Sequence, residues 1–353
     1  MIPTSTATNL QGQHFLGSTD FTQDAFLDLV DHALALKQGR WRPSLVGVVM
    51  GLLFFNPSLR TKASLASGVA QLGGTTIELS PGQNTYAFEF RDGAVMDGAT
   101  QEHIKEAAAV LGRYCHILGV RASELITREA ATAATGAWAT ARQDTVVRSF
   151  ARYAGVPVIN LESNLWHPCQ GLGDALTLRE RFGRTQGRKY VLTWGYHPKA
   201  LPTATPHSQM MAAVDLGMDV TLAYPEGWDL DPQVMAAAHT RAAQAGGSIS
   251  IAHDQDAAVA GADVVCLKSW GALAHYGDWG PELAERSHLK HWIVDEDLMG
   301  KTNDAAFMHC LPVRRNVKVT DGVLDGPWSI VIDQAENRMH AQNALIATLL
   351  GRE

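Results

Sequence analysis

A chain of 353 residues with 46% hydrophobic content can bury two cores of ordinary domain size. Its net charge of −7, with no long basic run, argues against nucleic acid or an anionic membrane as a partner. Met1 to Gly17 is polar, no segment is apolar for long enough to span a bilayer, and the four cysteines contain no C-x-x-C pair, so a cytoplasmic protein without a zinc site or disulfide framework is expected.

Thr22 to Lys37 reads as a helix. Val46 to Phe55 is apolar, β-branched and aromatic, and predicts a buried strand. Pro57 stops that strand, and Ser58 is a good N-cap for a helix over Lys62 to Leu72. Ser58, Arg60 and Thr61 then stand at a helix start, where free N–H groups and the positive dipole end favour an anion. A guanidinium and two hydroxyls in one turn suit a phosphate better than a carboxylate. An ordinary capped helix with a surface arginine reads equally well from these residues alone.

Thr75 to Leu79 reads as a strand, Glu102 to Tyr114 as a helix, and Ile117 to Val120 as a strand ending at Arg121. The Ala/Thr-rich stretch Ala130 to Ala141 reads as a surface helix or loop, and a domain boundary is expected near Phe150 to Gly155. Val156 to Asn160 predicts another strand, with Trp166-His167-Pro168-Cys169-Gln170 just ahead of a helix over Leu172 to Phe182. Short strands follow at Lys189 to Trp194, Asp219 to Ala223, Ser248 to Ile251 and Asp263 to Leu267, with helices at Gln209 to Leu216 and Pro232 to Ala245. Ala306-Phe307-Met308 then runs into His309-Cys310-Leu311-Pro312-Val313-Arg314-Arg315-Asn316, and Asn337 to Leu350 closes the chain as a helix. Strands alternating with helices predict an α/β chain of two domains, residues 1–152 and 153–336, each a parallel sheet covered by helices on both faces. In such sheets ligands bind beyond the carboxyl ends of the strands, where all three motifs fall. Neither G-x-x-x-x-G-K-[ST] nor a strand-following G-x-G-x-x-G is present, so no nucleotide cofactor is expected and the phosphate belongs to a small substrate.

The order Ser-x-Arg-Thr, His-Pro-x-Gln and His-Cys-Leu-Pro, at wide spacing and each at a strand end, resembles the aspartate/ornithine carbamoyltransferase superfamily over about His14 to Gly351. Lys268-Ser269-Trp270-Gly271, with Val95-Met96-Asp97-Gly98 and Ala335-Glu336-Asn337-Arg338, is similar to the branch acting on N-acylated ornithine. The Asp-x-x-x-Ser-Met-Gly segment usual in anabolic ornithine enzymes is missing. The resemblance implies a carbamoyl phosphate site made by Ser58, the backbone of Leu59, Arg60, Thr61, Tyr86, Arg121, His167, Gln170, the carbonyls of Cys310 and Leu311, and Arg338. It implies an acylornithine site of Glu162, Lys268, Leu311, His197 and Arg314. His197 and Arg314 could equally be structural residues of a proline-rich loop. It further implies that helix 337–353 packs back on the first domain, and that the protein is a homotrimer. A polar arm, Gly82 to Phe90, tipped by Tyr86, would then reach the neighbouring subunit.

The chemistry requires donors for the phosphate and for the oxyanion on the carbonyl, supplied by the anion-binding turn with Arg121 and His167. Carbamoyl NH2 needs acceptors such as the Gln170 oxygen. Acylation removes the α-ammonium, so one acceptor for the amide N–H is needed and no counter-ion. Three departures bear on the acyl group. Tyr86 stands where relatives carry tryptophan. The Glu162–His167 interval is one residue longer than in acetyl-type enzymes and matches the succinyl type. Gln101 stands where acetyl-type enzymes carry Glu and succinyl-type enzymes Pro. Lys318 matches a lysine of the acetyl type that can be N-carboxylated. The acetyl substrate is the expectation and the succinyl one its close alternative. A carbamoyltransferase for another amine, or a binding protein without catalysis, are the remaining readings.

Overall fold

The structure is a computed structural model that describes residues 10–123 and 137–352. The expected surface element from Ala130 lies mostly outside the described residues; its end is a short helix, Ala137–Ala141. The described residues fall into two compact units.

The first unit contains β1 (Val49–Phe54), β2 (Thr75–Leu79), a two-residue pair β3 (Phe88–Glu89) and β4 (Glu102–His103), then β5 (Ile117–Arg121) and β6 (Val158–Glu162). The main sheet runs β2-β1-β5-β6 and every pairing is parallel. β1 starts later than its apolar run suggests because the chain first turns: Gly47 takes φ +79° and the Val48 N–H donates to the Leu45 carbonyl. Helix Leu59–Gln71 packs on β2, and helix Thr145–Tyr153 packs on β5 and β6. Leu53, Ile104, Leu118, Val120, Phe150 and Val158 form the core between them.

The predicted boundary near residue 152 is displaced. β6 pairs with β5 in the first sheet, and its outer edge is covered by Phe15, whose backbone exchanges hydrogen bonds with Val158 and Asn160. Ala141–Leu176 therefore belongs to the first unit, as does the chain from Arg338. In this C-terminal part Gln342 accepts from Ser64 (2.8 Å) and the Leu349 carbonyl accepts from Gly12 (2.9 Å).

The second unit carries β7 (Lys189–Trp194), β8 (Asp219–Ala223), β9 (Ser248–Ala252), β10 (Val264–Lys268) and β11 (Ala306–Met308), again all parallel, in the order β11-β10-β7-β8-β9. Like Leu59–Gln71, three further helices begin earlier than their periodicity suggests. Helix Pro168–Phe182 starts on its proline, whose missing N–H costs nothing at a first helical position. Helix Ala204–Asp215 is buried at every residue, so it presents no amphipathic stripe to read. The last helix begins at Val331 and ends at Leu349. No helix among the described residues is long and apolar enough to cross a membrane.

Candidate active site

Each sheet reverses its strand order once, between β1 and β5 in the first unit and between β7 and β10 in the second. The motif residues follow the carboxyl ends of β1, β5 and β6 in the first unit and of β10 and β11 in the second, at and beside the position where open parallel sheets bind ligands.

In the first unit Ser58 caps helix Leu59–Gln71. Its extended backbone (φ −155°, ψ 123°) lets Oγ accept from the Thr61 N–H at 3.3 Å. Leu59, the first helical residue, is exposed, Arg60 is half-buried and Thr61 is buried. Arg338, on the C-terminal helix, donates from Nη2 to the Thr61 hydroxyl at 2.9 Å. It passes over Gly173, where an added Cβ would come within 2.8 Å of Arg338 Cγ; a glycine there leaves the arginine its path. A helix N-terminus with two guanidinium groups beside it can hold a dianion.

Arg121 lies opposite Phe54 of β1 and Glu162 of β6, where the register shifts at a bulge. The bulge turns both charged side chains to one side, and they form a buried ion pair with few exposed atoms. His167 Nε2 lies 3.7 Å from the same Glu162 oxygen. Glu162, which the resemblance assigns to the second substrate, thus joins Arg121 and His167, assigned to the first. Gln170 donates from its amide nitrogen to the buried Asp174 at 2.7 Å, which orients the amide. Burial pushes the Cys169 thiol up to about 12, against the opposing charge of Arg338, so it is a packing residue with no ready thiolate.

In the second unit β10 ends at Lys268 and β7 at Trp194, paired in register. Beyond them Ser269 donates its hydroxyl to the Gly195 carbonyl, and Trp270 donates to the Trp228 carbonyl at 2.8 Å. Arg286 and Glu282 form a fully buried ion pair behind this loop, with Arg286 also donating to the Trp270 carbonyl at 3.0 Å. Such a pair holds the loop because removing either partner strands a buried charge.

The hydrogen bonds determine the proton positions on both histidines. Arg314 Nε donates to His197 Nε2 at 3.0 Å, so Nε2 is the acceptor and Nδ1 carries the proton, which it gives to the Lys199 carbonyl at 2.8 Å. Burial, with Lys318, Arg314 and Lys268 adding to it, holds His197 down to about 4, so the ring is neutral. His309 Nδ1 accepts from the Leu311 N–H at 3.0 Å, which leaves the proton on Nε2. That Nε2 lies 3.0 Å from Lys318 Nζ, which must then accept as a neutral amine. Burial first, then the positive charge of Lys268, holds Lys318 down to about 7, in keeping with this assignment. Lys268 and Arg314, together with Arg286, make this a cationic region around an uncharged imidazole and amine.

Cys310 is half-buried, and Leu311 has φ +45° and precedes a cis proline. Tyr86 is exposed, just after a turn braced by hydrogen bonds from the Gly82 N–H to the Thr85 carbonyl and from the Ser80 N–H to Asn84 Oδ1. Gln101 is exposed immediately before β4. Among the described residues no group of three His, Cys, Asp or Glu could hold a metal ion. The sequence places His309 in a motif without giving it a role, and it does not single out Asp174 or the Glu282–Arg286 pair. The last shows as Glu-x-x-x-Arg, a spacing that usually marks a solvated helix face, so its burial is a tertiary fact.

Residues 13–180 match the carbamoyl-P binding domain of aspartate/ornithine carbamoyltransferase, and residues 202–349 match its Asp/Orn binding domain. The chain is 47% identical to N-acetylornithine carbamoyltransferase of Xanthomonas campestris pv. campestris over 343 residues, covering 96% of this chain and 98% of that one. It is 35% identical to N-succinylornithine carbamoyltransferase of Bacteroides thetaiotaomicron, covering 85% and 86% of the two chains. A crystal structure of acetylornithine transcarbamylase complexed with acetylcitrulline superposes with a TM-score of 0.90 at 47% identity, over 96% of this chain and 99% of that one. The chain belongs to the aspartate/ornithine carbamoyltransferase family.

Proposed function

We propose that this carbamoyltransferase moves the carbamoyl group of carbamoyl phosphate to the δ-amine of N-acetyl-L-ornithine, giving N-acetyl-L-citrulline and phosphate, in arginine biosynthesis. The neutral amine attacks the carbonyl carbon, a tetrahedral intermediate forms, and the C–O bond to phosphate breaks. The departing phosphate takes the amine's proton, since no side chain stands out as the base. Ser58, Leu59 N–H, Arg60, Thr61 and Arg338 hold the phosphate. Arg121 and His167 donate to the developing oxyanion, each such donor being worth on the order of 3 kcal/mol in the transition state. The Gln170 oxygen and the Cys310 and Leu311 carbonyls accept from the carbamoyl NH2.

One observation carries the choice of an N-acylated acceptor: Lys268 and Arg314 make the second-unit cluster cationic, while Lys318 and His197 within it are held down toward their neutral forms. An α-carboxylate is welcome there, with Lys268 as its partner, whereas the α-ammonium of free ornithine meets like charge. Glu162 accepts from the acyl amide N–H, and His197 with Arg314 lies at the acyl group. Lys318 as a free amine is also the form that N-carboxylation needs, since only the unprotonated Nζ attacks CO2, releasing a proton and leaving a carbamate. Gln101 bears on the acyl group because it keeps the length of glutamate without its charge.

Steady-state assays with carbamoyl phosphate and ornithine, N-acetylornithine or N-succinylornithine separate the cases. Turnover highest with N-acetylornithine is expected, and a preference for free ornithine overturns the acyl assignment. The active form is read as a cytoplasmic homotrimer whose Tyr86 serves the neighbouring subunit's carbamoyl phosphate. Mixing inactive Tyr86→Ala and Arg60→Ala subunits should then restore activity, and mixed trimers that stay inactive count against a shared site.

A further inference from the structure

His167 follows β6 by a short turn, and what shapes that turn is a residue far back in the chain. Asp144 stands at the N-cap position of helix Thr145–Tyr153 in a left-handed conformation (φ +50°), and its side chain makes no capping bond to its own helix. The carboxylate is buried and turned instead toward the end of β6. Its Oδ2 accepts from the Ser163 hydroxyl at 2.6 Å, and its Oδ1 accepts from the backbone N–H groups of Asn164 (3.0 Å) and Leu165 (3.2 Å). The Ser163 hydroxyl accepts in turn from Asn160 Nδ2 at 2.8 Å and from the Trp166 N–H at 3.2 Å. The Ser163 N–H donates to the Trp166 carbonyl at 2.8 Å, closing the turn. Asn164 Nδ2 reaches back to the Ala141 carbonyl at 2.9 Å, joining the turn to the segment that carries Asp144.

A turn from Ser163 to Trp166 with its donors converging on one buried carboxylate has a single arrangement, because moving it would strand those donors in an apolar surrounding. The next residue in the chain is His167. We propose that Asp144 is a positioning residue for His167: its carboxylate locks the turn that sets the imidazole beside Glu162 and Arg121. The proposal rests on reading His167 as the oxyanion donor of carbamoyl transfer, and its test keeps the two apart.

Asp144→Ala removes all three acceptor contacts, and Asp144→Asn keeps one acceptor oxygen in the same shape. Asp144→Asn should lower kcat about tenfold and Asp144→Ala about 100-fold, with carbamoyl phosphate affinity changed less than about threefold because the phosphate is held at a different helix. In a His167→Ala background, adding Asp144→Ala should cost less than about threefold, since the two residues act as one unit. Equal losses in both backgrounds overturn the proposal. The imidazole resonances and titration of His167, followed by NMR in folded Asp144→Asn, provide a readout independent of turnover. They should shift from those of the parent, and unchanged signals overturn the proposal. Wild-type turnover in His167→Ala alone strikes at the oxyanion reading, while the NMR comparison still decides the role of Asp144.

Discussion

The two units solve opposite electrostatic problems at equivalent places in their sheets. The first surrounds its strand ends with paired charge: Arg121 faces Glu162, and Arg338 binds the Thr61 hydroxyl beside a capped helix N-terminus. The second gathers Lys268 and Arg314 around Lys318 and His197, and strips protons from both, leaving His197 at about 4 and Lys318 at about 7. Paired charge keeps Arg121 oriented for a leaving group that carries its own negative charge. Cations without a carboxylate beside them add to burial in lowering their neighbours' basicity, and under the proposed reading they select a ligand by what it lacks, an α-ammonium. One fold type thus binds a strongly charged substrate in one place and discriminates between weakly different ones in another.

Substitutions should separate these two strategies. Arg60→Ala should lower kcat/KM on the order of 1,000-fold and weaken carbamoyl phosphate binding, because a charge-assisted phosphate contact at a helix N-terminus is lost. Unchanged carbamoyl phosphate affinity, measured by calorimetry, would place the phosphate elsewhere. Lys268→Met should act on the other substrate, raising the KM for the acylated acceptor about 100-fold while carbamoyl phosphate affinity stays near that of the parent. A variant that loses affinity for both substrates alike would blur the contrast between the units.

Lys318 tests the proton-stripping side of the comparison through stability. A lysine in the unfolded chain titrates near ~10.4. In the folded protein the amine is held down to about 7, chiefly by burial and by Lys268. Between these values the unfolded chain binds the extra proton, so stability rises with pH across this window and the cost of burying the lysine is largest below pH 7. In CO2-free buffer Lys318→Met should therefore exceed the parent in stability at pH 7, by at most about 5 kcal/mol, with the gap closing toward pH 10. Denaturant titrations at several pH values would detect this, and a gap independent of pH would mean that Lys318 does not titrate in that range. The same residue in Lys318→Arg should abolish any carbamate signal obtained with 13C-bicarbonate. The smallest expected effect is at Gln101. Gln101→Glu should favour the acetyl over the succinyl substrate by about fivefold to tenfold, since a carboxylate there repels a succinyl carboxylate by on the order of 1 kcal/mol. An unchanged ratio of kcat/KM values removes Gln101 from the specificity argument.

Reading residues in order recovered what is written locally. The strand before Asn56, the Ser58 cap and the strand end at Arg121 follow from apolar runs, a proline stop and a capping side chain, all of which act over a few residues. The alternation of strand and helix was enough for parallel sheets, and with them for the side of the sheet on which ligands bind. The motif order carried the family.

Tertiary structure decided the matters that depend on distant partners. Val158 to Glu162 reads as a strand anywhere, but only pairing with β5, and the covering of its far edge by Phe15, assigns it to the first sheet. Arg338 and Thr61 are 277 positions apart, and no local rule brings that guanidinium to that hydroxyl. Asp144 stands at an N-cap position and Glu282–Arg286 has the spacing of a solvated helix pair, yet one holds a remote turn and the other is fully buried. The neutral state of Lys318 is written in no residue near it, because desolvation and the charge of Lys268 arise only when the core closes. Short-range rules set the backbone's local form, whereas burial, and the proton balance that follows from it, belongs to the assembled fold.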